Sequence, residues 1–235
     1  MSEPKDRLRS LAPALWVVDH DFRMGPLALG TRTTVIRLAD GSLWVHSPGP
    51  LTDALATEVR ALGPVSCLVA PNLMHHLYLG DWIAAFPDAR TYAVAGLDRV
   101  RPDLRLDETL GDAPPAAWKG QIEQIRTAGV PKLDEVDFLH PPTRTLVLTD
   151  LCFNMQSSDS WPTRLFMRLS AAWRRFTPSR LFKSFIKDRD ALRQGVEQIL
   201  EWDFDRVIVT HGEVLEGGGR AALRAAYAFI GVRQG

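Results

Sequence analysis

The sequence predicts an α/β protein of the α+β kind, with two mixed sheets packed face to face and helices outside. Three observations carry this. Segments alternate as β-rich, α/β, β-rich, α/β, as two similar halves would. Ala39-Asp40-Gly41, between Thr33-Thr34-Val35-Ile36-Arg37-Leu38 and Ser42-Leu43-Trp44-Val45-His46, is a hairpin signal because glycine accepts positive φ. That antiparallel pairing suits a doubly wound parallel sheet poorly. Third, no Gly-x-Gly-x-x-Gly follows a strand and no Gly-x-x-x-x-Gly-Lys loop exists, so nucleotide binding through those motifs has no support.

In chain order, Leu15-Trp16-Val17-Val18 is a short apolar strand ending at Asp19, and the hairpin follows. Ser47-Pro48-Gly49-Pro50 stops its second strand. Thr52 caps a helix through Ala54, Leu55, Val59 and Leu62, closed by Gly63 and Pro64. Val65-Ser66-Cys67-Leu68-Val69 reads as a buried strand. It leads into Ala70-Pro71-Asn72-Leu73-Met74-His75-His76, and a short helix follows Gly80, carrying Trp82, Ile83 and Phe86. Thr91-Tyr92-Ala93-Val94 is a further strand. The pattern weakens from Gly96 to Ala117. Gln121–Ile125, Glu135–Leu139 and Thr145–Thr149 then read as three strands. Trp161, Leu165, Phe166, Leu169, Trp173 and Phe176 fall near helical spacing until Pro178 breaks the run. A second helix from Asp188 buries Leu192, Val196, Ile199 and Leu200. Arg206–Thr210 is the last strand, and a terminal helix carries Leu223, Tyr227 and Ile230.

Composition bounds the partners. The 235 residues suffice for one large domain or two small ones with a sizeable core; the expectation is a single domain (1–235) with a basic helical insertion at about 160–187. Twenty-eight basic residues balance 28 acidic ones, so no global field recruits nucleic acid or an anionic membrane. Met1-Ser2-Glu3-Pro4-Lys5-Asp6 lacks an apolar signal core, and no apolar run approaches the roughly 18 residues of a membrane span. Cys67 and Cys152 make no disulfide framework. The expectation is a cytoplasmic protein with both thiols reduced.

Chemistry gathers at strand ends. His46, the His75-His76 pair, His140 and His211 all stand at or just past predicted strands, and Asp150 closes Leu146-Val147-Leu148-Thr149. A carboxylate there must be hydrogen-bonded, paired or metal-bound, because burying it bare is costly. Imidazole and carboxylate together are the usual ligands of zinc and non-haem iron. Strand ends anchor such ligands before a metal arrives, and a metal so held lowers the pKa of bound water to roughly 7. No catalytic side chain is nominated: a Gly-x-Ser-x-Gly elbow is absent.

Here the chain resembles the metallo-β-lactamase superfamily over roughly Thr33 to Gly212. In that superfamily His-x-His-x-Asp-His follows a buried strand, an aspartate closing a later strand bridges two metals, and a histidine follows the last strand. Asp150 in Thr149-Asp150-Leu151 is similar to the bridging aspartate, and His211 in Thr210-His211-Gly212 to the last histidine. Trp44-Val45-His46-Ser47-Pro48, Pro71-Asn72 with His75-His76, Thr143-Arg144-Thr145 and Thr210-His211-Gly212-Glu213 together look like an uncharacterised branch, a domain of unknown function. The resemblance implies a four-layer αββα sandwich. It also implies metal ligands among His75, His76, Asp150 and His211, with zinc, iron or manganese as cofactor. His46 ends its strand where the superfamily usually has an aspartate that orients a ligand.

The motif is incomplete. With His76 as its last histidine, His75 stands at its aspartate position and Pro71 and Leu73 replace two histidines; shifting by one residue puts Asn72 in a ligand position. The middle histidine, expected near Gly129-Val130-Pro131, is absent. A di-iron oxidoreductase needs more ligands than these. Two readings remain: a mononuclear metal-dependent hydrolase of an ester, lactone or phosphoester, and a catalytically inactive member of the fold that binds a small molecule or protein, with no metal if the site is degenerate. The basic segment at 160–187 reads by default as a solvated face; the competing reading is a lid or partner surface, because insertions at this place in the related fold cover the active site, and arginines there favour an anionic small-molecule substrate. His140 before Pro141-Pro142 reads as a surface turn residue, and Cys152 as able to reach the site.

Overall fold

A computed structural model describes residues 5–233. Residues 1–4, most of the segment read as lacking a signal core, lie outside the described residues. The chain opens with β1 (Leu8–Ala12) and β2 (Leu15–His20), a small ribbon of β3 (Arg23–Met24) and β4 (Leu27–Ala28), then β5 (Thr31–Arg37) and β6 (Leu43–His46). Next come α1 (Asp53–Leu62), β7 (Val65–Ala70), α2 (Leu79–Ala85), β8 (Arg90–Ala93), α3 (Leu97–Val100) and β9 (Glu108–Thr109). The second half holds β10 (Glu123–Thr127), β11 (Glu135–His140), β12 (Thr145–Val147), α4 (Trp161–Leu169), α5 (Arg180–Phe185), α6 (Arg189–Ile199), β13 (Arg206–Ile208) and α7 (Gly219–Ala226).

Two mixed sheets result. The larger has the order β1-β2-β5-β6-β7-β8-β9 and the smaller β10-β11-β12-β13. The β5–β6 hairpin pairs antiparallel, with Thr34 opposite His46, as its Asp-Gly turn demands. From β6 to β9 the strands run parallel, joined by helices.

Period-two alternation places the core. Val17, Ile36, Trp44, Cys67 and Val69 point inward and meet Val136, Phe138, Val147 and Ile208 of the smaller sheet. Their neighbours Val18, Val35, Val45 and Leu68 point outward, under Leu55 and Val59 of α1 and Leu79 and Trp82 of α2. On the far side, Leu139, Leu146 and Val207 lie beneath Leu192, Val196 and Ile199 of α6 and Leu223 of α7. The layers are therefore helix, sheet, sheet, helix. Each fully buried aliphatic or aromatic side chain contributes about 1.5–3 kcal/mol to holding them.

Several elements depart from the sequence reading. The strand expected at 121–125 runs Glu123–Thr127, because the Gln121 and Ile122 amides turn back onto the Trp118 carbonyl at 3.0 and 3.1 Å. All six residues of Glu135–His140 are buried, so this strand is covered on both faces. His140 is correspondingly a buried strand-end residue, its Nδ1 2.8 Å from Thr143 Oγ1, and not a surface turn residue. The helix begun at Trp161 stops at Leu169: Ala171 and Arg174 adopt positive φ, and Ala172 packs with Met155 and Met167 in a satellite cluster. The short strands β1, β3, β4 and β9 carry too little apolar pattern to be foreseen.

A candidate metal centre at the strand ends

The strands β6, β7, β12 and β13 all deliver their carboxyl ends to one edge of the sandwich. Beyond β7, the fully buried Asn72 accepts hydrogen bonds from the Met74 and His75 amides, both at 2.9 Å. This side-chain turn fixes where His75 leaves the backbone. The same residue's Nδ2 donates to Asp150 Oδ2 at 2.9 Å and to Glu135 Oε2 at 3.1 Å.

His211 is held from three directions. Its Nδ1–H donates to the Gly30 carbonyl at 2.8 Å, and its ring stacks on Phe153 at 5.2 Å between centroids. The guanidinium of the buried Arg32 donates to the Val209 and Gly212 carbonyls at 2.6 and 2.7 Å, tying the loop to β5. Gly212 has φ +103°, and a Cβ there would overlap the Asn154 carbonyl. Only glycine fits this close pass.

The structure brings His75, Asp150 and His211 together. Their donor atoms all lie within 4.8 Å of one another. His75 Nε2 is 3.3 Å from Asp150 Oδ2, and His211 Nε2 is 3.5 Å from Asp150 Oδ1. Four ligands at zinc–nitrogen and zinc–oxygen bond lengths sit about 3.3 Å apart around a tetrahedron, so these spacings suit one ion. Orientation also suits it. His75 Nδ1 faces Ser47 Oγ at 3.0 Å and His211 Nδ1 faces Gly30, so each ring turns its Nε2 toward Asp150. Ser47 itself has φ 51°, a left-handed conformation that ends β6 and aims its hydroxyl at His75.

His76 does not join this cluster. Its Nδ1 is 3.4 Å from Arg101 Nη1, and it lines the pocket wall beside the metal candidates. His46 is fully buried, stacked on Trp44 at 5.5 Å, with Nδ1 unpartnered. Cys152 lies in the core under α6, with burial pushing its thiol up, and does not line the pocket.

The electrostatics follow from burial and pairing. Burial alone would raise Asp150, but the charge and hydrogen bond of His75, with His211 and Asn72, outweigh it and hold the carboxyl below the usual carboxylate range. Burial opposes a charge on His75, yet Asp150 and Glu135 raise it above its ordinary value. Burial lowers His211 to about 4 despite Asp150, with His75 adding to the effect. Burial likewise takes His46 to about 3.

Glu135 is the functional neighbour that sequence reading missed. Its carboxylate accepts from the Thr149, Asp150 and Leu151 amides, the first two at 2.8 Å, and so shapes the turn that presents Asp150. Burial, Asp137 and Asp150 raise Glu135 well above its ordinary value, and burial raises Asp137 to about 6. The only sequence signal was position: Glu135 opens its strand a few residues past the site where a histidine is expected.

A pocket of about 420 Å³ opens over the three residues. Phe22 and Met24 from the β3 region, Leu73 and Leu133, and Phe166, Leu181, Phe182 and Phe185 from α4 and α5 line it. The segment 160–187 thus supplies aromatic and aliphatic cover. No lysine or arginine lines the pocket among the described residues. Arg180 donates to the Leu169 carbonyl, Arg174 to that of Gln156, and Arg168 lies over Trp173.

The layers, the sheet orders and this edge define a metallo-β-lactamase fold. The chain overlays DIM-1 metallo-beta-lactamase with a TM-score of 0.67, 16% identity and 97% of each chain covered. It overlays the metallo-beta-lactamase from Pontibacter korlensis with a TM-score of 0.66, 12% identity, 97% of this chain and 99% of that one. FIM-1 from Pseudomonas aeruginosa in the mono-zinc form gives 0.65, 12% identity, and 97% and 96% coverage. At these identities the likeness is one of fold. Residues 13–98 match the family described as Domain of unknown function (DUF4336). No curated protein matches the sequence.

Proposed function

We propose that this protein is a mononuclear metal-dependent hydrolase acting on an ester, lactone or phosphoester. The observation that carries the reading is the convergence of His75 Nε2, His211 Nε2 and the Asp150 carboxylate on the floor of one pocket. Two imidazoles and a carboxylate suit zinc, iron or manganese. When bound, such an ion supplies Lewis-acid polarisation and a water acidified to roughly neutral pKa. The chain's own residues do the rest. Asn72 and Glu135 hold Asp150 in place, the Gly30 carbonyl fixes the His211 tautomer, and the Ser47 hydroxyl orients the His75 ring. The apolar lining favours an uncharged carbonyl ester or lactone over an anionic substrate. The two cysteines, both free and buried, agree with a reducing compartment, which we take to be the cytoplasm.

The second reading, a non-catalytic binding protein, draws on a different observation. Asn72 donates to Glu135 beside Asp150, and Pro71 and Leu73 offer no metal ligand, so among the described residues the cluster stops at three. Hydrolysis of neutral p-nitrophenyl esters separates the two. The hydrolase reading expects turnover that a chelator abolishes, that zinc or manganese restores, and that His211→Ala loses at least a hundredfold. Binding of such esters without metal-dependent turnover supports the second reading instead.

A further inference from the structure

The net charge of zero conceals a strong local segregation. Between residues 160 and 187 the chain carries seven Lys or Arg and no Asp or Glu. Within that segment α4 exposes Trp161, Leu165 and Leu169, spaced four residues apart and therefore on one face. Trp161 is 67% exposed and Leu169 65%, unusual values for large apolar groups. Arg164 and Arg168 flank this stripe, while Thr163 and Met167 on the opposite face are buried. Thr163 accepts from the Ala28 amide at 2.8 Å, which sets α4 against the β3–β4 ribbon.

The stripe borders the pocket mouth. Phe166 of α4 lines the pocket, and the exposed Met24, Met74, Leu77 and Leu181 line it as well. Of the exposed large apolar side chains among the described residues, only Val100 lies outside this region. An apolar helix face with a tryptophan, arginines at its margin and an apolar pocket beside it has the chemistry of an interfacial membrane helix.

We propose that α4 and the adjoining pocket rim dock on an anionic lipid surface, with Trp161, Leu165 and Leu169 entering the headgroup boundary and the basic residues of 160–187 meeting lipid phosphates and carboxylates. The charge pattern selects this occupant. A second copy of the chain seated face to face would set Arg164 and Arg168 against the same basic residues of its partner. An anionic leaflet neutralises them, and each basic residue near the surface adds attraction. No helix among the described residues is long and apolar enough to cross a membrane. The inference does not depend on hydrolysis.

Cosedimentation of the full chain with vesicles tests it. The probes are phosphatidylcholine vesicles and vesicles in which about a third of the lipid is phosphatidylserine. Binding at least tenfold stronger to the anionic vesicles is expected, weakening as salt shortens the screening length. The double variant Trp161→Ala, Leu169→Ala and the single variant Arg168→Glu should each lose at least tenfold while keeping the parent's melting temperature, since all three side chains are exposed. Absence of binding to anionic vesicles, or equal binding by the variants, overturns the proposal. So does a concentration-dependent dimer that the double variant dissociates, because the stripe would then be covered by a second copy.

Discussion

The side-chain amide of Asn72 donates to Asp150 Oδ2 at 2.9 Å while its carbonyl oxygen accepts the His75 amide at 2.9 Å. One buried residue thereby sets the spacing between an imidazole and a carboxylate that lie 75 residues apart. Replacing Asn72 by alanine removes one donor from each of Asp150 and Glu135 and frees the His75 loop. Unfolding in urea should show a loss of about 2–4 kcal/mol. Asn72→Asp should cost at least as much, because a third carboxylate then faces Glu135 and Asp150. Unchanged midpoints in both variants would remove Asn72 from this role.

Gly212→Ala is expected to be severe for its size. The residue's φ of +103° and its close pass to Asn154 leave no room for a Cβ. A loss of about 1–3 kcal/mol should appear in thermal unfolding. Metal affinity should fall with it, since His211 precedes the displaced peptide. Gly41→Ala is the control: it also has positive φ but nothing near its Cβ, so it should cost stability and leave metal affinity alone.

Acid sensitivity should trace partly to His46. Burial lowers it to about 3, whereas in the unfolded chain it titrates near 6.5. Between those values the unfolded state binds the extra proton, so stability falls as pH falls through that window. His20, His140 and His211 are also lowered by burial and act in the same direction, while the raised His75 opposes them. His46→Phe keeps the stack on Trp44 and removes the titration. Melting temperatures from pH 7 to pH 4.5 should then decline less steeply than in the parent; parallel slopes would contradict the assignment.

The sandwich was legible because alternation writes both faces of each central strand into the sequence: Val17 against Val18, Ile36 against Val35, Trp44 against Val45. The Asp-Gly hairpin and the helix capped by Thr52 were equally local signals, and Thr52 Oγ1 does accept the Leu55 amide at 3.1 Å. Asp150 and His211 stood out as polar residues closing apolar strands. What escaped was long-range. Glu135 reads as one polar position in an alternating strand, and nothing local announces that its carboxylate is caught by three amides fourteen to sixteen residues onward.

The pair His75-His76 shows the same limit. Adjacent residues past a strand end point in different directions, and the sequence does not say which faces inward. The Asn72 turn decides it, sending His75 to Asp150 and leaving His76 beside Arg101. The basic character of 160–187 was visible too, but charge does not reveal side. None of the segment's arginines lines the pocket, whereas Phe166, Phe182 and Phe185 do.

The proposed function requires His75, Asp150 and His211 to hold one metal ion. Metal content of the full chain, purified without added metal and then titrated with zinc or manganese, tests it most directly. One equivalent per chain is expected. Affinity should fall at least tenfold in His75→Ala, Asp150→Asn and His211→Ala, with His76→Ala close to the parent. Less than about a tenth of an equivalent bound after titration, or a loss in His76→Ala matching that in His75→Ala, would contradict it.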